Sequence, residues 1–367
     1  MQLQEALGLD DVLLVPANMN FISSRANVDT TSKMACKAFK MPVVASNMDT
    51  VYSPLLAQEL AKAGGVACTH RFCSIEDNIT LFKAGIFDTV KPWVSIGVGV
   101  SEFERGIALV EAGAETVVID LANGASIQAV EQFDKLRDKF GYNIGLVVGN
   151  FATGSQIKAF ISNSSTKGFI DLVKIGLGGG AACTSRLVAG VGLPSFTTIQ
   201  SCSEAGVPML FDGGIKQPGD FAKALAAGAS GIMMGRNFAA TLESPADKYY
   251  MDNTGAVRSH EQVLEIVERN GASLEGINPT HKKYRGSASR ESYAAQGKEA
   301  RHRAPEGEAF LVEVTGTVSD LMANFEGGLR SSMTYLNATD LTAFRENASF
   351  VKITNNAHRE SHAHGRM

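Results

Sequence analysis

The sequence has little that would tie it to a membrane, a nucleic acid or an oxidising compartment. No window approaches about 20 continuous apolar residues, and residues 1–15 lack a cationic start followed by an apolar run. The formal net charge of -4, without long charge runs, argues against a nucleic-acid partner, which usually needs a basic face. Five dispersed cysteines make neither a disulfide framework nor a tight metal-binding pair. We therefore expect a cytoplasmic protein with reduced thiols and small-molecule ligands.

What the sequence does contain is a regular alternation of short apolar runs and amphipathic segments of helical length. The runs are residues 42–46, 65–69, 93–97, 116–120, 144–149, 172–176, 208–212 and 231–235. Alternation of this kind predicts an α/β fold with a parallel sheet, and eight strands are the number that closes a (β/α)8 (TIM) barrel. Polar and glycine residues follow nearly every run, and a barrel would bring all of them to one rim. We predict one barrel domain over residues 1–367, with an open doubly wound sheet as the alternative.

After the eighth run the composition changes. Residues 244–306 are polar, rich in Lys, Arg, His, Ser and Gly, with one amphipathic piece around residues 263–267. A loop this long in a compact domain is usually functional or disordered, so we predict a long mobile flap over the barrel mouth. An insertion without a role is the alternative.

The most distinctive stretch is residues 174–186, where four glycines within residues 176–180 precede Cys183. Glycines at this density allow positive φ angles and a close approach of the backbone to a ligand. A cysteine on such a loop, beside Arg186, is a candidate nucleophile because a nearby cation stabilises a thiolate. A phosphate-binding or cation-binding loop is the alternative.

This loop, taken with residues 47–51, 120–124, 211–215, 284–286 and 327–331, resembles the IMP dehydrogenase and GMP reductase family. The resemblance runs in order over nearly the whole chain. It implies a (β/α)8 barrel, usually a homotetramer, that acts at C2 of a purine nucleoside monophosphate with a nicotinamide cofactor.

Three features favour the reductase branch. The paired regulatory (CBS) domain that dehydrogenases usually carry after the second strand has no room between Ser74 and Trp93. Asn47 and the run 120–124 resemble the reductase, and the segment from Tyr284 to Glu306 is short, as in reductases. The resemblance therefore implies an NADPH-dependent GMP reductase, which converts GMP to IMP and ammonia.

Two other features resemble the dehydrogenase, so an NAD-dependent IMP dehydrogenase, which makes XMP, is the alternative. Arg301 and His302 could imitate the arginine–tyrosine pair that activates water there. Residues 359–362 resemble the terminus that helps a neighbouring subunit hold potassium. A non-catalytic purine-nucleotide sensor is disfavoured because Cys183 and Glu306 are both present.

The resemblance assigns the chemistry to Cys183, Ser185 and Glu306. In the reductase the cysteine attacks C2 of GMP, ammonia leaves, and NADPH delivers hydride to the resulting thioimidate. A threonine two residues after the cysteine works with a glutamate to protonate the leaving amine, and these positions are Ser185 and Glu306 here. The alternative role of Ser185 is to cap a helix after the loop.

The resemblance also implies the ligand-binding residues. Where the family has a phosphate-binding serine this chain has Ala181, and Arg236 could compensate because guanidinium binds phosphate bidentately. Ser287 replaces a methionine at the base edge, which leaves open an enzyme for a modified purine nucleotide. The implied substrate-binding residues are Asn47, Met48, Asp212, Gly213, Gly214, Gly235, Arg236, Tyr284, Gly286 and Ser287. The implied cofactor-binding residues are Asp120, Ala122, Asn123, Gly124, Asn150 and Thr153. A potassium ion would bind the backbone carbonyls of Gly176, Gly178 and Cys183.

Overall fold

The computed structural model describes residues 3–166, 169–252, 254–270, 273–295 and 304–362. Three short strands come first: β1 (Val12–Leu14), β2 (Ser32–Met34) and β3 (Lys37–Phe39). Strands β2 and β3 form an antiparallel hairpin. The Ser32 hydroxyl donates a hydrogen bond to the carbonyl oxygen of Ser230 at 2.6 Å, and Met34 packs against Gly231 so closely that any Cβ there would collide with it. The hairpin therefore covers the end of the barrel where the strands begin.

Eight parallel strands form a closed barrel. Each strand pairs with its two neighbours in the ring, and β11 pairs with β4. They are β4 (Val43–Ala45), β5 (Val66–Thr69), β6 (Trp93–Ile96), β7 (Thr116–Asp120), β8 (Gly145–Phe151), β9 (Leu172–Ile175), β10 (Met209–Asp212) and β11 (Gly231–Met234). Nearly every strand residue is buried, as expected for strands covered by helices outside and by packed side chains inside. The predicted (β/α)8 barrel is confirmed, and the doubly wound alternative is excluded.

Helices follow the strands and cover the barrel. They are α1 (Pro54–Lys62), α2 (Ile75–Ala84), α3 (Val100–Glu111), α4 (Ile127–Phe140), α5 (Gly154–Asn163), α6 (Ser185–Val188), α7 (Ser195–Ser203), α8 (Pro218–Ala226) and α9 (Arg236–Ala239). Several begin at a hydroxyl that accepts a backbone N–H, such as Ser53 before α1 and Ser126 before α4. Most of these helices bury apolar residues against the barrel, whereas the short α6 buries none. In the described part of the chain, no helix has the length and apolar character to cross a membrane.

The flap is more regular than its composition predicts. It contains β12 (Lys248–Met251), β13 (Val257–Ser259), α10 (His260–Arg269), β14 (His281–Arg285), α11 (Arg290–Ala295) and β15 (Ala309–Glu313), and the strands form an antiparallel sheet in the order β13-β12-β14-β15. The sheet runs past residue 306 and ends with β15 at Glu313. Strand β14 buries Lys282 and Tyr284, whereas His281, Lys283 and Arg285 are partly exposed. This alternation has the period of two that is typical of a strand, and the cationic sequence conceals it.

The chain ends with α12 (Val318–Tyr335), α13 (Leu341–Glu346), β16 (Phe350–Lys352) and α14 (Asn355–Glu360). Helix α12 packs against α8 and α1, and β16 pairs with β1. Both ends of the described chain are thereby attached to the outside of the barrel.

Candidate active site

A cavity of about 530 Å³ opens at the end of the barrel where the strands finish, under the flap. It is formed by the loops after several strands together with flap residues, so positions far apart in sequence face one space. The sequence-predicted residues that line it are Asn47, Met48, Asp120, Ala122, Asn150, Cys183, Ser185, Asp212, Gly213, Gly214, Gly235, Arg236, Tyr284, Gly286, Ser287 and Glu306.

Cys183 lies on the loop between β9 and α6, with its side chain partly exposed. Its Sγ atom is 3.3 Å from the hydroxyl oxygen of Ser185. Helix α6 starts at Ser185, but the cap position is Thr184 and no side chain caps this helix. Ser185 is therefore not the helix cap, and its hydroxyl is placed to exchange a hydrogen bond with the thiol.

The flap is joined to the cysteine loop through backbone hydrogen bonds. The N–H of Thr184 donates to the carbonyl oxygen of Glu306 at 2.8 Å, and the N–H of Glu308 donates to that of Ala182 at 2.9 Å. Gly286 also packs against Ala182, where a Cβ would lie 3.0 Å from the carbonyl oxygen. These contacts hold Glu306 in the lining of the cavity that contains the Cys183 thiol.

Glycine is required where the loop after β10 meets the cysteine loop. Gly213 has a φ of +100°, and a Cβ on it would lie 2.9 Å from the backbone nitrogen of Gly180. A side chain would strain the backbone and push the two loops apart. The contact fixes Asp212 relative to Cys183.

Lys174 connects two of the predicted carboxylates. Its Nζ atom is 2.8 Å from Oδ1 of Asp120 and 2.7 Å from Oδ2 of Asp212, and its side chain is only 3% exposed. Burial alone would lower the pKa of Lys174, but the two carboxylates outweigh it and raise that pKa above its ordinary value. Burial likewise would raise the pKa of Asp120, yet Lys174, Asn47 and Arg71 hold it below its usual range. Lys174 and Asp120 therefore stay ionised at neutral pH.

Two asparagines orient these carboxylates. The amide of Asn47 donates to Oδ2 of Asp120 at 2.9 Å, and that of Asn150 donates to Oδ2 of Asp212 at 3.1 Å. The Oδ1 atom of Asn150 is buried without a hydrogen-bond partner. An unsatisfied acceptor on a cavity wall is a place where a bound ligand can donate a hydrogen bond.

Tyr284 closes the end of the cavity beside Arg236. The tyrosine is 5% exposed, and its hydroxyl lies 3.5 Å from Sδ of Met48. A Cβ on Gly235 would lie 2.8 Å from that hydroxyl, so only glycine fits there. Burial raises the pKa of Tyr284, and Asp212 adds to the shift, so its hydroxyl remains a proton donor.

Five predicted residues do not line this cavity: Asn123, Gly124, Thr153, Gly176 and Gly178. Asn123 accepts a turn hydrogen bond from the N–H of Ala125, and Gly124 packs against the backbone of Gly149. Thr153 caps α5. These contacts stabilise the loops that carry Asp120 and Asn150.

The potassium site does not fit the observed contacts. The carbonyl oxygen of Gly176 accepts a hydrogen bond from Asn150 at 2.8 Å. The guanidinium of Arg186 packs beside Gly178 and donates to the carbonyl of Leu177, so a cation already serves this loop. We derive no chemical step through a monovalent ion.

Sequence reasoning missed several charged and aromatic residues that line the cavity. Lys174 is the most central, and Arg71, Phe72, Lys216 and Tyr293 join it. The available signal for Lys174 was a lone charge inside the apolar run 172–175, since a buried lysine needs a partner. The predicted pair Arg301 and His302 lies outside the described residues.

A partly exposed thiol beside a charged cluster, at the end of the barrel where the strands finish, is typical of a (β/α)8 enzyme because active sites of this fold lie there. The family can be stated more narrowly. A family model described as "IMP dehydrogenase / GMP reductase domain" matches residues 6–364, and the chain belongs to this family. It is accordingly an oxidoreductase of purine nucleotides, and the family's chemistry uses a nicotinamide cofactor.

Curated relatives carry the name inosine-5'-monophosphate dehydrogenase. The chain is 30% identical to the one from Cryptosporidium parvum, over 98% of this chain and 95% of the relative. It is 28% identical to that of Borreliella burgdorferi, over 98% of this chain and 97% of the relative. The Aquifex aeolicus protein is 36% identical over 74% of this chain and 51% of its own length. These similarities do not support the prediction that the chain is closer to the reductase.

Proposed function

We propose that this protein is an NAD-dependent IMP dehydrogenase, which oxidises IMP to XMP. The observation that carries the proposal is the match to two dehydrogenases along almost the whole length of both partners. The two alignments extend over 410 and 415 positions against the 367 residues of this chain, which leaves little room for an inserted regulatory domain in those relatives. The missing domain, which favoured the reductase in the sequence, therefore does not separate the two activities.

Cys183 is the proposed nucleophile. Its thiol would pass its proton to a nearby base such as Glu306, and the sulfur would bond to C2 of the purine. Bound NAD would accept the hydrogen on C2 as hydride, which leaves a thioimidate. Water then adds to C2 of the resulting thioimidate, the C–S bond breaks, and the sulfur recovers a proton as XMP leaves. Ser185 and Glu306 are the groups of this chain placed to hold or move protons near that sulfur.

The nucleotide is held by groups already present in the cavity. Oδ2 of Asp212 is occupied by Lys174 and Asn150, and we assign Oδ1 to the ribose hydroxyls. Backbone amides of Gly213, Gly214 and Gly235, with Arg236, would hold the phosphate near Tyr284.

The cofactor would lie along Asp120, Leu121 and Ala122, on the other side of Cys183. The residues fit a nicotinamide, because its carboxamide can donate to the unpartnered Oδ1 atom of Asn150. NAD follows from the dehydrogenase assignment, whereas NADPH would accompany the reductase. A cytoplasmic homotetramer remains part of the proposal, and light scattering of the purified protein measures the assembly.

A GMP reductase is the second candidate. The hydroxyl of Ser185 beside the thiol, with Glu306 in the same cavity, matches the pair that protonates departing ammonia in reductases. Asn47 also favours this activity by resemblance.

One assay separates the two candidates. Purified protein with IMP and NAD should increase absorbance at 340 nm and form XMP. The same protein with GMP and NADPH should leave absorbance unchanged and release no ammonia. Loss of absorbance with ammonia release only in the second mixture would move the assignment to the reductase. Inactivity in both mixtures would favour a modified purine nucleotide or a sensor.

A further inference from the structure

Another cavity, of about 410 Å³, lies at the opposite end of the barrel from the active site. Asp171, Pro208 and Ser230, which immediately precede β9, β10 and β11, form one wall. The hairpin of β2 and β3 and helix α13 form the others. None of its residues belongs to the catalytic proposal.

The two acidic residues of this cavity already have partners. Oδ2 of Asp171 accepts from Nη2 of Arg137 at 2.7 Å and from the N–H of Leu146 at 2.8 Å. Oδ1 of Asp340 accepts from two backbone N–H groups at the start of α13. Asp171 is therefore paired with a cation outside the cavity lining, and Asp340 serves as the N-cap of α13.

The two cations of the cavity are not balanced. Nη2 of Arg345 donates to the carbonyl oxygen of Ala229 at 2.9 Å, but its Nε atom is buried without a partner. Burial lowers the pKa of Arg345, and no carboxylate offsets that effect. Lys33, on β2, forms no ion pair within the described residues. Arg345 is partly exposed and Lys33 is exposed, so both charges can reach a ligand in the cavity. A buried Nε atom without a partner beside a polar cavity is a place where an anion can accept a hydrogen bond.

We propose that this cavity, which we call the distal anion site, binds a phosphate group held by Arg345 and Lys33. Guanidinium offers phosphate two parallel N–H donors, and an ammonium group adds a point charge. Thr31 and Thr342 contribute hydroxyls to the same lining. The cavity is larger than one phosphate ion requires, which favours a phosphorylated small molecule over the free ion. This site is independent of the proposed catalytic function.

The proposal predicts an unusual response to Arg345→Met. In buffer without phosphate, the variant should melt at the same temperature as the wild type or higher, because methionine fills similar space without a desolvated charge. In phosphate, the wild type should gain more stability than the variant, which keeps only the response of the active site. A purely structural arginine would behave differently, since its loss would lower the melting temperature equally in both buffers.

The test measures melting temperatures in chloride and in inorganic phosphate at equal ionic strength, with ribose 5-phosphate as a second probe. A probe at ten times its dissociation constant should raise the melting temperature of the wild type by about 2 °C. Lys33→Met should weaken that response at least about fivefold in probe concentration. Exposed Lys158 on α5 has no ion-pair partner in the described part of the chain, and Lys158→Met should respond like the wild type.

Arg236→Met separates this site from the active site, where phosphate is also expected to bind. Part of the stabilisation should survive Arg236→Met, and that part should disappear when Arg345→Met is added. The reverse pattern, or no stabilisation of the wild type by either probe, would overturn the proposal. A stronger response to ribose 5-phosphate supports a phosphorylated metabolite, and a response to inorganic phosphate alone supports a free-phosphate site.

Discussion

Replacing Lys282 by methionine should change how the stability of the protein depends on pH. The lysine is fully buried on β14, and its Nζ atom donates to the carbonyl oxygens of Leu242 and Ser244 at 2.9 and 2.6 Å. Among the described residues it has no carboxylate within ion-pairing distance. Burial, with a smaller contribution from Lys248, lowers its pKa from 10.5 to about 8.

The size of the effect follows from the difference between the ordinary pKa of 10.5 and the folded pKa of about 8. Each pH unit between the folded and unfolded pKa corresponds to about 1.4 kcal/mol, so keeping Lys282 charged in the folded protein costs about 3 kcal/mol. The unfolded chain binds this proton more tightly, so the free energy of unfolding rises with pH between about 8 and 10.5. Below pH 8 the full cost is present. The methionine variant has no such proton, so its stability relative to the wild type should be highest at pH 7.

Urea unfolding at pH 7, 8, 9 and 10, followed by circular dichroism, measures this. The free energy of unfolding of the wild type minus that of Lys282→Met should rise by about 2.5 kcal/mol from pH 7 to pH 10. Lys283→Met is the matched control, because Lys283 is partly exposed on the same strand, and its difference from the wild type should stay flat. A difference for Lys282→Met that is constant or falls with pH would refute the reasoning.

Three further substitutions test the active site. Cys183→Ala should lower kcat by about 10³-fold or more while changing nucleotide affinity less than about threefold, because the covalent step is lost and the binding groups remain; steady-state kinetics and calorimetry measure both, and near-normal turnover would exclude the thiol as nucleophile. Lys174→Met should destabilise the protein by about 3–5 kcal/mol, because Asp120 and Asp212 lose their shared cation, and Lys174→Arg should restore part of this; denaturant unfolding would contradict us if both variants matched the wild type. Gly213→Ala should cost about 1–3 kcal/mol and raise the KM for nucleotide, because its φ is +100° and the new Cβ would crowd Gly180; an unchanged KM would show that the two loops tolerate separation.

The barrel was predictable because its strands are continuous apolar runs, and their polar ends converge whenever eight such strands close. The flap sheet was not predictable in the same way. Strand β14 reads His-Lys-Lys-Tyr-Arg, and its buried lysine is satisfied by carbonyl oxygens of Leu242 and Ser244 that only tertiary structure brings near. Charge thus concealed a strand whose burial pattern is ordinary.

The active-site residues also differ in whether the sequence could predict them. Residues in glycine-rich or motif-like stretches, such as Cys183 and Asp212, were identifiable, and they line one cavity. Lys174 was not, because its importance depends on two carboxylates from other strands. Arg345 was still harder to predict from the sequence. An arginine on a short helix is usually on the surface, and nothing in the local sequence indicates that its guanidinium is partly desolvated against the barrel.

Backbone hydrogen bonds between the flap and the cysteine loop fix the position of Glu306 independently of the length of the rest of the flap. Glu306 is held by Thr184 on one side, while Thr315 donates to the carbonyl of Ala240 and attaches the end of the sheet to the barrel. Gly255 lies in the connection between β12 and β13, at the edge of the sheet opposite β15. Insertions or labels placed at that turn would leave the carboxylate where it is, which makes it a suitable position for a fluorophore that reports on flap movement during turnover.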